Sequence, residues 1–221
     1  MSWNKYVFPE PIRFIYEQTS YLHDFIILIG IIIILILLLR ILISNFFIIP
    51  LGVWPTEIDK LEIVWTIIPL ILLVLISIPS IRILAFLEEP YEQFVSLKII
   101  ANQWFWTYYY LNSTTDFDSV YYENSDERFR QIEVDNRVIL PYHIPVSILI
   151  SRIDVIHSWA LPILGVKIDA IPGRLNRIFI YGEKPGVFWG QCREICGVNH
   201  SFIPITVEFV NINRILFKYY N

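Results

Sequence analysis

The sequence predicts a membrane protein with two spanning helices followed by one all-β domain. Its 221 residues are 55% hydrophobic and only 17% charged, which is more apolar than an ordinary soluble domain. The apolar residues form two long runs early in the chain, and short runs rich in Val, Ile and aromatic residues follow. This composition excludes intrinsic disorder, which needs low hydrophobicity and high net charge. A net charge of −4 argues against a nucleic-acid partner, and two cysteines are too few for a disulfide-rich scaffold.

Both apolar runs are long enough to cross a bilayer. They predict spans at about residues 22–43 and 63–83, because about 20 apolar helical residues cross a hydrocarbon core of about 30 Å. Pro69 and Pro79 lie inside the second run, where spanning helices tolerate proline. We therefore predict a helical hairpin in membrane lipid, which together with the N-terminal segment occupies residues 1–93. The first run is too long for the apolar part of a cleaved signal peptide, so we expect it to stay in the mature chain.

The composition changes at about residue 94. From there to residue 221, short runs of β-branched and aromatic residues alternate with Pro and Gly. This spacing predicts several short strands packed as a sandwich or a barrel, with a short C-terminal tail. Residues 116–127 are mostly polar, and we expect them to form a loop.

A cluster of potential metal ligands lies near the end of the predicted β-domain. Cys192, Cys196 and His200 are spaced four residues apart, and His157 is a further candidate upstream. Thiolates with imidazoles suit copper or zinc far better than magnesium or calcium. A disulfide between the two cysteines is an alternative, because so short a gap can be bridged. Two free thiols are a third, and ligand type alone does not separate copper from zinc.

Five segments of the chain carry a family resemblance. They are LEIVWTIIP at 61–69, QWFWTY at 103–108, VDNRVILP at 134–141, DVIHSWALPILGVKIDAIPGRLN at 154–176 and GQCREICGVNHSFIPI at 190–205. In this order they resemble the cytochrome c oxidase subunit 2 family, and the resemblance extends over nearly the whole chain.

The resemblance implies a helical hairpin that carries a cupredoxin-like β-sandwich with a dinuclear copper A centre. By analogy with the family, Cys192 and Cys196 bridge the two copper ions. His157 and His200 each bind one of them, and the backbone carbonyl of Glu194 completes the well-matched ligands. Such a centre transfers single electrons and has no open position for a substrate.

The resemblance also implies the function and the partners. The family accepts electrons from reduced cytochrome c and passes them to haem in a catalytic subunit, where oxygen is reduced to water and protons are pumped. This chain is then one subunit of a proton-translocating oxidoreductase that also has a third core subunit. The implied location is the mitochondrial inner membrane, with the β-domain facing the intermembrane space, and a bacterial plasma membrane is the alternative.

Three further site roles follow from the resemblance. Trp104 is the indole through which electrons enter and a contact for cytochrome c, although membrane-interface or core packing also explains a tryptophan here. We add Asp154 as a second contact for cytochrome c, because it is an acid close to His157 in the sequence and surface acids attract a basic partner. The side chain of Glu194 binds a magnesium ion shared with the catalytic subunit. Glu62 lies at the mouth of a proton pathway, although a carboxylate in the first turn of a helix is also favourable with the helix dipole.

The chain departs from the family pattern at one ligand. The family has a methionine three residues after the second histidine, whereas this chain has Ile203, which offers no lone pair. Met1 is the only methionine, beside 42 isoleucines. One hypothesis is that some codons read as methionine in the organelle are written here as isoleucine. The mass of the peptide that contains position 203 tests this hypothesis.

Two other functions are compatible with the same pattern of helices and strands. One is a quinol-oxidase-type subunit, which has lost the metal site; the two cysteines and two histidines of this chain argue against it. The other is a membrane-anchored binding module that zinc or a disulfide stabilises and that transfers no electrons.

Overall fold

A computed structural model describes residues 11–46, 59–88, 95–111, 116–123 and 131–219. The helices are α1 (Phe14–Phe46), α2 (Asp59–Glu88) and α3 (Ile212–Tyr219). The strands are β1 (Val95–Asn102), β2 (Phe105–Tyr110), β3 (Asp116–Ser119), β4 (Val138–Pro141), β5 (Val146–Arg152), β6 (His157–Leu161), β7 (Val166–Ala170), β8 (Asn176–Ile180), β9 (Gly186–Cys192) and β10 (Pro204–Val210). The chain forms two compact units, one of residues 18–86 and one of residues 1–17 with 87–221.

The two long helices contain the predicted spans. Helix α1 has 33 residues and α2 has 30, so each is about 45–50 Å long and exceeds the hydrocarbon thickness. The apolar stretch of each helix buries nothing inside the chain, and an apolar surface of this length is stable against lipid. Pro69 and Pro79 lie within α2 without ending it, as predicted.

The β-domain is a sandwich of two five-stranded sheets. One sheet has the order β3-β2-β1-β5-β8 and the other has the order β4-β10-β9-β6-β7. Most neighbours are antiparallel, but β1 pairs with β5 and β4 pairs with β10 in parallel. The predicted architecture, apolar helices followed by a cupredoxin-like sandwich, is confirmed.

Buried and partly buried residues alternate along strand β1, and the buried ones form part of the core between the sheets. Leu97, Ile99 and Ala101 of β1 are fully buried, and the residues between them are only partly buried. Trp159 of β6 and Phe209 of β10 supply large buried rings from the opposite sheet. A strand with period-two burial presents one face to the core, and the facing sheet closes that core.

The start of α1 belongs to the unit that contains the sandwich. The amide of Ile12 donates to the carbonyl of Ile163 (3.4 Å), and the amide of Glu183 donates to the carbonyl of Ile12 (3.1 Å). The carboxylate of Glu183 accepts from the amide of Phe14 (2.9 Å), which satisfies a free donor at the helix N-terminus. Ile15 is also buried. The first residues of the predicted hairpin segment 1–93 are therefore grouped with the β-domain, and the boundary at residue 93 stays a prediction.

The predicted loop 116–127 is wrong in its first four residues, which form strand β3. This strand pairs antiparallel with β2, so that Trp106 lies opposite Ser119 and Tyr109 opposite Asp116. Phe117 packs against the rings of Tyr108 and Tyr110. A single apolar residue among acids gives little strand signal, but it is enough at a sheet edge where both neighbouring acids face solvent. Residues 124–130 lie outside the described ranges.

Candidate metal centre

Adjacent strands bring the upstream histidine to the cysteines. His157 is the first residue of β6 and Cys192 is the last residue of β9. These strands are antiparallel neighbours, with Trp159 opposite Cys192. The chain then turns through Cys196 and enters a short 3-10 helix at His200. The sandwich therefore converts a separation of 35 residues along the chain into contact.

The four predicted ligand side chains meet at one end of the sandwich. The ligand atoms of His157, Cys192 and Cys196 all lie within 4.8 Å of one another. Nδ1 of His157 is 3.9 Å from Sγ of Cys192, and Nδ1 of His200 is 3.4 Å from Sγ of Cys196. Both cysteines are free thiols. Each histidine thus lies beside a different sulfur, and His200 is outside the group of three.

The group is shielded from water on its inner side. His157 is fully buried, and Cys192 and Cys196 are 4% and 3% exposed. His200 is half-buried. Trp106 packs edge-on against the His157 ring with 6.0 Å between ring centroids. A buried set of thiols and imidazoles held by strands has little freedom to rearrange.

A carboxylate fixes the orientation of the His157 ring. Nε2 of His157 lies 2.8 Å from Oδ1 of Asp154, which is 27% exposed. When Nε2 donates to this carboxylate, Nδ1 is left with a lone pair that faces Cys192. A ligating histidine ordinarily has such a second partner. Burial lowers the pKa of His157, but the hydrogen bonds with Cys192 and Asp154 outweigh it, so the pKa is raised overall.

The two thiols differ in how readily they lose a proton. Burial opposes ionisation of Cys192, but its interaction with His157 and a hydrogen bond from the backbone of Ser158 lower its pKa overall. Burial and the neighbouring Cys192 raise the pKa of Cys196 to about 12. Thiolates are the metal-binding form. A metal ion must therefore displace a proton from Cys196 when it binds there.

Two backbone carbonyls also face the cysteines. The thiol of Cys192 donates to the carbonyl of Glu194 (3.3 Å), so this oxygen lies beside the cysteines, and its role as a metal ligand stays a prediction. The amide of Cys192 donates to the carbonyl of Ile203 (3.1 Å). Ile203 is 1% exposed and belongs to the same hydrophobic cluster as both cysteines.

The predicted electron-accepting tryptophan contacts the site through its indole. Nε1 of Trp104 donates to the carbonyl of Cys196 (3.3 Å), and the side chain is half-buried. Glu62 lies in the first turn of α2, in the other compact unit, and its carbonyl accepts from the hydroxyl of Thr66 (2.8 Å). The roles of Glu62 in a proton pathway and of the Glu194 carboxylate in binding magnesium are tested by none of these contacts and stay predictions.

Three residues at the site were missed by sequence reasoning. They are Gln103, Gly190 and Gly197. A Cβ at Gly190 would lie 1.9 Å from the carbonyl oxygen of Ala160, and a Cβ at Gly197 would lie 3.2 Å from the ring of Trp104. The sequence placed Gly190 and Gly197 near ligands and Gln103 next to Trp104, but a close approach between distant segments leaves no local pattern that identifies such residues.

Fold and site together define a membrane protein with two spanning helices whose β-sandwich holds a cluster of two thiols and two imidazoles suited to a soft metal ion. The chain belongs to the cytochrome c oxidase subunit II family. Residues 95–210 match the family model described as "Cytochrome C oxidase subunit II, periplasmic domain", and residues 2–83 match the one described as "Cytochrome C oxidase subunit II, transmembrane domain". The family makes this chain a subunit of cytochrome c oxidase, and it implies a catalytic subunit as partner.

Relatives and solved structures agree with this assignment. The chain is 41% identical over 219 residues to cytochrome c oxidase subunit 2 of Sympetrum striolatum, covering 97% of this chain and 95% of that protein. It is 42% identical over 203 residues to the Drosophila bifasciata protein, with 89% and 87% covered.

The structural neighbours match the sandwich. The periplasmic domain of cytochrome oxidase subunit II from Bradyrhizobium japonicum is similar with a TM-score of 0.55 and 38% identity, covering 57% of this chain and 91% of that one. A mixed disulfide between a thioredoxin-like protein and subunit II of cytochrome c oxidase is similar with a TM-score of 0.52 and 36% identity, covering 59% and 91%.

Proposed function

We propose that this chain accepts single electrons from reduced cytochrome c at a copper A centre and passes them to haem in the catalytic subunit, where oxygen is reduced to water with proton pumping. The observation that carries this proposal is the pairing of each thiol with a different histidine. Nδ1 of His157 faces Cys192, and Nδ1 of His200 faces Cys196.

The spacing of the ligand atoms favours two metal ions over one. Four ligands around a single tetrahedral zinc ion, at about 2.0–2.3 Å from it, lie within about 4 Å of one another. His200 does not join the three side chains that lie within 4.8 Å of each other. Two sulfurs between two outlying imidazoles would instead hold a pair of copper ions.

The donors and their burial suit copper A. Thiolate and imidazole are ligands that copper prefers, and the carbonyl of Glu194 faces the same sulfur as His157. The bound copper pair supplies one-electron redox chemistry. The chain's own part is to keep the ligands nearly fixed between the two redox states, and the buried strand ends that carry His157 and Cys192 do so.

Trp104 offers a short route for electrons into the site. Its indole N–H donates to the carbonyl of the ligand residue Cys196 (3.3 Å), while part of its surface remains accessible. When cytochrome c docks over this ring, a single hydrogen bond connects the indole of Trp104 to a ligand residue. We propose Trp104 as the surface residue that accepts electrons from cytochrome c.

We also propose that the chain lies in the inner mitochondrial membrane, with the sandwich in the intermembrane space.

An optical and EPR spectrum of the copper-loaded full chain tests the proposed function. The chain is purified in detergent and reduced before copper is added, because a solved relative forms a mixed disulfide through subunit II. A purple protein with a mixed-valence copper signal supports the proposal. A colourless protein that contains zinc, or one whose cysteines remain oxidised after reductant treatment, would contradict it.

Asp154→Asn is expected to weaken copper binding by about 10–100-fold, the effect usual for a partner of a ligating histidine. The amide removes the negative charge that orients His157 through the 2.8 Å contact with Nε2. Copper loss to a chelator measures the change. Asp135→Asn is the control, since that carboxylate accepts backbone hydrogen bonds from Val120 and Asn136 away from the ligands.

The same variant separates two roles of Asp154. The proposed role in binding cytochrome c predicts a higher, salt-dependent KM for cytochrome c. The positioning of His157 predicts faster copper loss in the absence of any partner. A variant with the copper affinity of the wild type and an altered KM would assign the carboxylate to docking alone.

Ile203→Met is expected to lower the reduction potential of the copper centre while changing the free energy of unfolding by less than about 1.5 kcal/mol. The side chain is buried in the hydrophobic cluster that also contains both cysteines, and exchange between similar volumes is well tolerated in cores. A thioether donates electron density, which stabilises the oxidised centre more than the reduced one. Redox titration measures the potential, and an unchanged potential would show that the methionine sulfur does not reach the copper ions.

A further inference from the structure

The turn between β1 and β2 reaches across to both segments that carry metal ligands. This turn consists of Gln103 and Trp104, since Asn102 and Phe105 are the paired ends of the two strands. The strands belong to one sheet, whereas His157 and Cys192 lie on strands of the other. A contact from the turn to the ligands therefore joins the two sheets at the end that holds the site.

Gln103 makes a hydrogen bond to each ligand-bearing segment. Its side-chain Nε2 donates to the carbonyl of Cys196 (2.8 Å), and its backbone amide donates to Oδ2 of Asp154 (2.5 Å). The other oxygen of Asp154 contacts His157. One residue is thus connected to Cys196 directly and to His157 through a single carboxylate.

The chain is shaped to allow this contact. Gly197 follows Cys196 and has a φ of +124°, a backbone conformation that residues other than glycine rarely adopt. A Cβ there would lie 3.3 Å from Nε2 of Gln103 and 3.2 Å from the ring of Trp104. The indole N–H of Trp104 shares the carbonyl of Cys196 at 3.3 Å, a longer and weaker bond than that of Gln103.

We propose that Gln103 is a positioning residue that fastens the Cys196 segment to the His157 segment and so sets the geometry of the metal centre. The inference deepens the proposed function and rests on it. Cys196 lies in a loop and not in a strand, so strand pairing does not hold its carbonyl. The side-chain amide of Gln103 supplies the missing restraint on this carbonyl. It acts on the ligand residue without touching the metal.

Gln103→Met tests the proposal, because methionine keeps the length of the side chain and its neutrality but has no donor. Asn136→Leu is the matched control: the amide of Asn136 also donates to a backbone carbonyl at an exposed position, that of Asp118 (3.0 Å). Both variants are made in the full chain in detergent. Copper loss to a chelator and the EPR hyperfine pattern are measured on the loaded protein, and the rate of thiol modification is measured on the metal-free protein.

We expect Gln103→Met to lose copper about 10-fold faster than the wild type, to change the hyperfine pattern and to react faster with the thiol reagent. Thermal unfolding of the metal-free protein should be unchanged, and Asn136→Leu should match the wild type in every measurement. Wild-type rates and spectrum in Gln103→Met would overturn the proposal, and so would equally fast copper loss from Asn136→Leu. If Trp104→Phe accelerates copper loss and Gln103→Met does not, the restraint belongs to Trp104. A wild-type chain that binds no copper would instead contradict the proposed function.

Discussion

Cys196→Ser will abolish the mixed-valence copper signal of the loaded protein. Serine is similar in shape, but its hydroxyl stays protonated and hard, so it cannot replace the soft thiolate ligand that the proposed function assigns to Cys196. The sulfur of Cys196 lies 3.4 Å from Nδ1 of His200, so the substitution also removes the partner of that histidine. We expect complete loss of the purple absorption and of the EPR signal, and at most half of the wild-type copper content. Optical spectra, EPR and metal analysis measure these losses.

The control for this substitution is Ser201→Ala, which changes an exposed side chain directly after His200 in the same short helix. It should retain both the copper content and the signal. The metal-free Cys196→Ser protein should lose only about 1–2 kcal/mol of the free energy of unfolding, the cost of burying a hydroxyl in place of a thiol. A serine variant that keeps the wild-type spectrum would show that Cys196 is not a ligand.

Gly190→Ala is expected to have the largest effect on folding. The new Cβ would lie 1.9 Å from the carbonyl oxygen of Ala160 and 3.0 Å from its carbonyl carbon. These are backbone atoms of the neighbouring strand, so β6 and β9 must separate where they present His157 and Cys192. We expect the free energy of unfolding to fall by about 3 kcal/mol, and copper binding to be lost. Urea unfolding followed by tryptophan fluorescence measures the first change and EPR the second.

Gly30→Ala makes the same chemical change without a clash, because a Cβ at this position meets nothing within 4 Å. Alanine also favours the helix that contains it, so this variant should be at least as stable as the wild type. If Gly190→Ala unfolds at the same urea concentration as the wild type and retains copper, the close packing of β6 on β9 does not limit the size of this residue.

The spanning helices and most of the strands could be predicted because their signals are local. An apolar run of sufficient length specifies a membrane helix wherever it stands, and α1 and α2 contain both predicted runs. All ten described strands lie in the region from about residue 94 onward, where short runs of β-branched and aromatic residues predicted strands. Strand β3 was missed because pairing with β2 and the packing of Phe117 stabilise it, and neither is visible in a short polar segment.

The site shows the same division between features with a local sequence signal and features that depend on long-range contacts. Cys192, Cys196 and His200 could be selected from their spacing and chemistry, with His157 as a further candidate, and the family resemblance implied that all four are ligands. That the four side chains meet, with each histidine beside a different sulfur, depends on the pairing of β6 with β9. The sequence suggested Asp154 as a contact for a partner, whereas both of its oxygens are engaged by His157 and Gln103.

The sequence by itself determined which residues enter lipid, which form the sandwich and which atoms can bind a soft metal, because hydrophobicity, β-propensity and ligand chemistry belong to the residues themselves. Only the tertiary structure decided which carbonyls and carboxylates hold those ligands. Gln103, Gly190 and Gly197 act through distances to segments far away in the chain. Such distances are set when strands pair and when the two sheets pack, and no run of neighbouring residues encodes them.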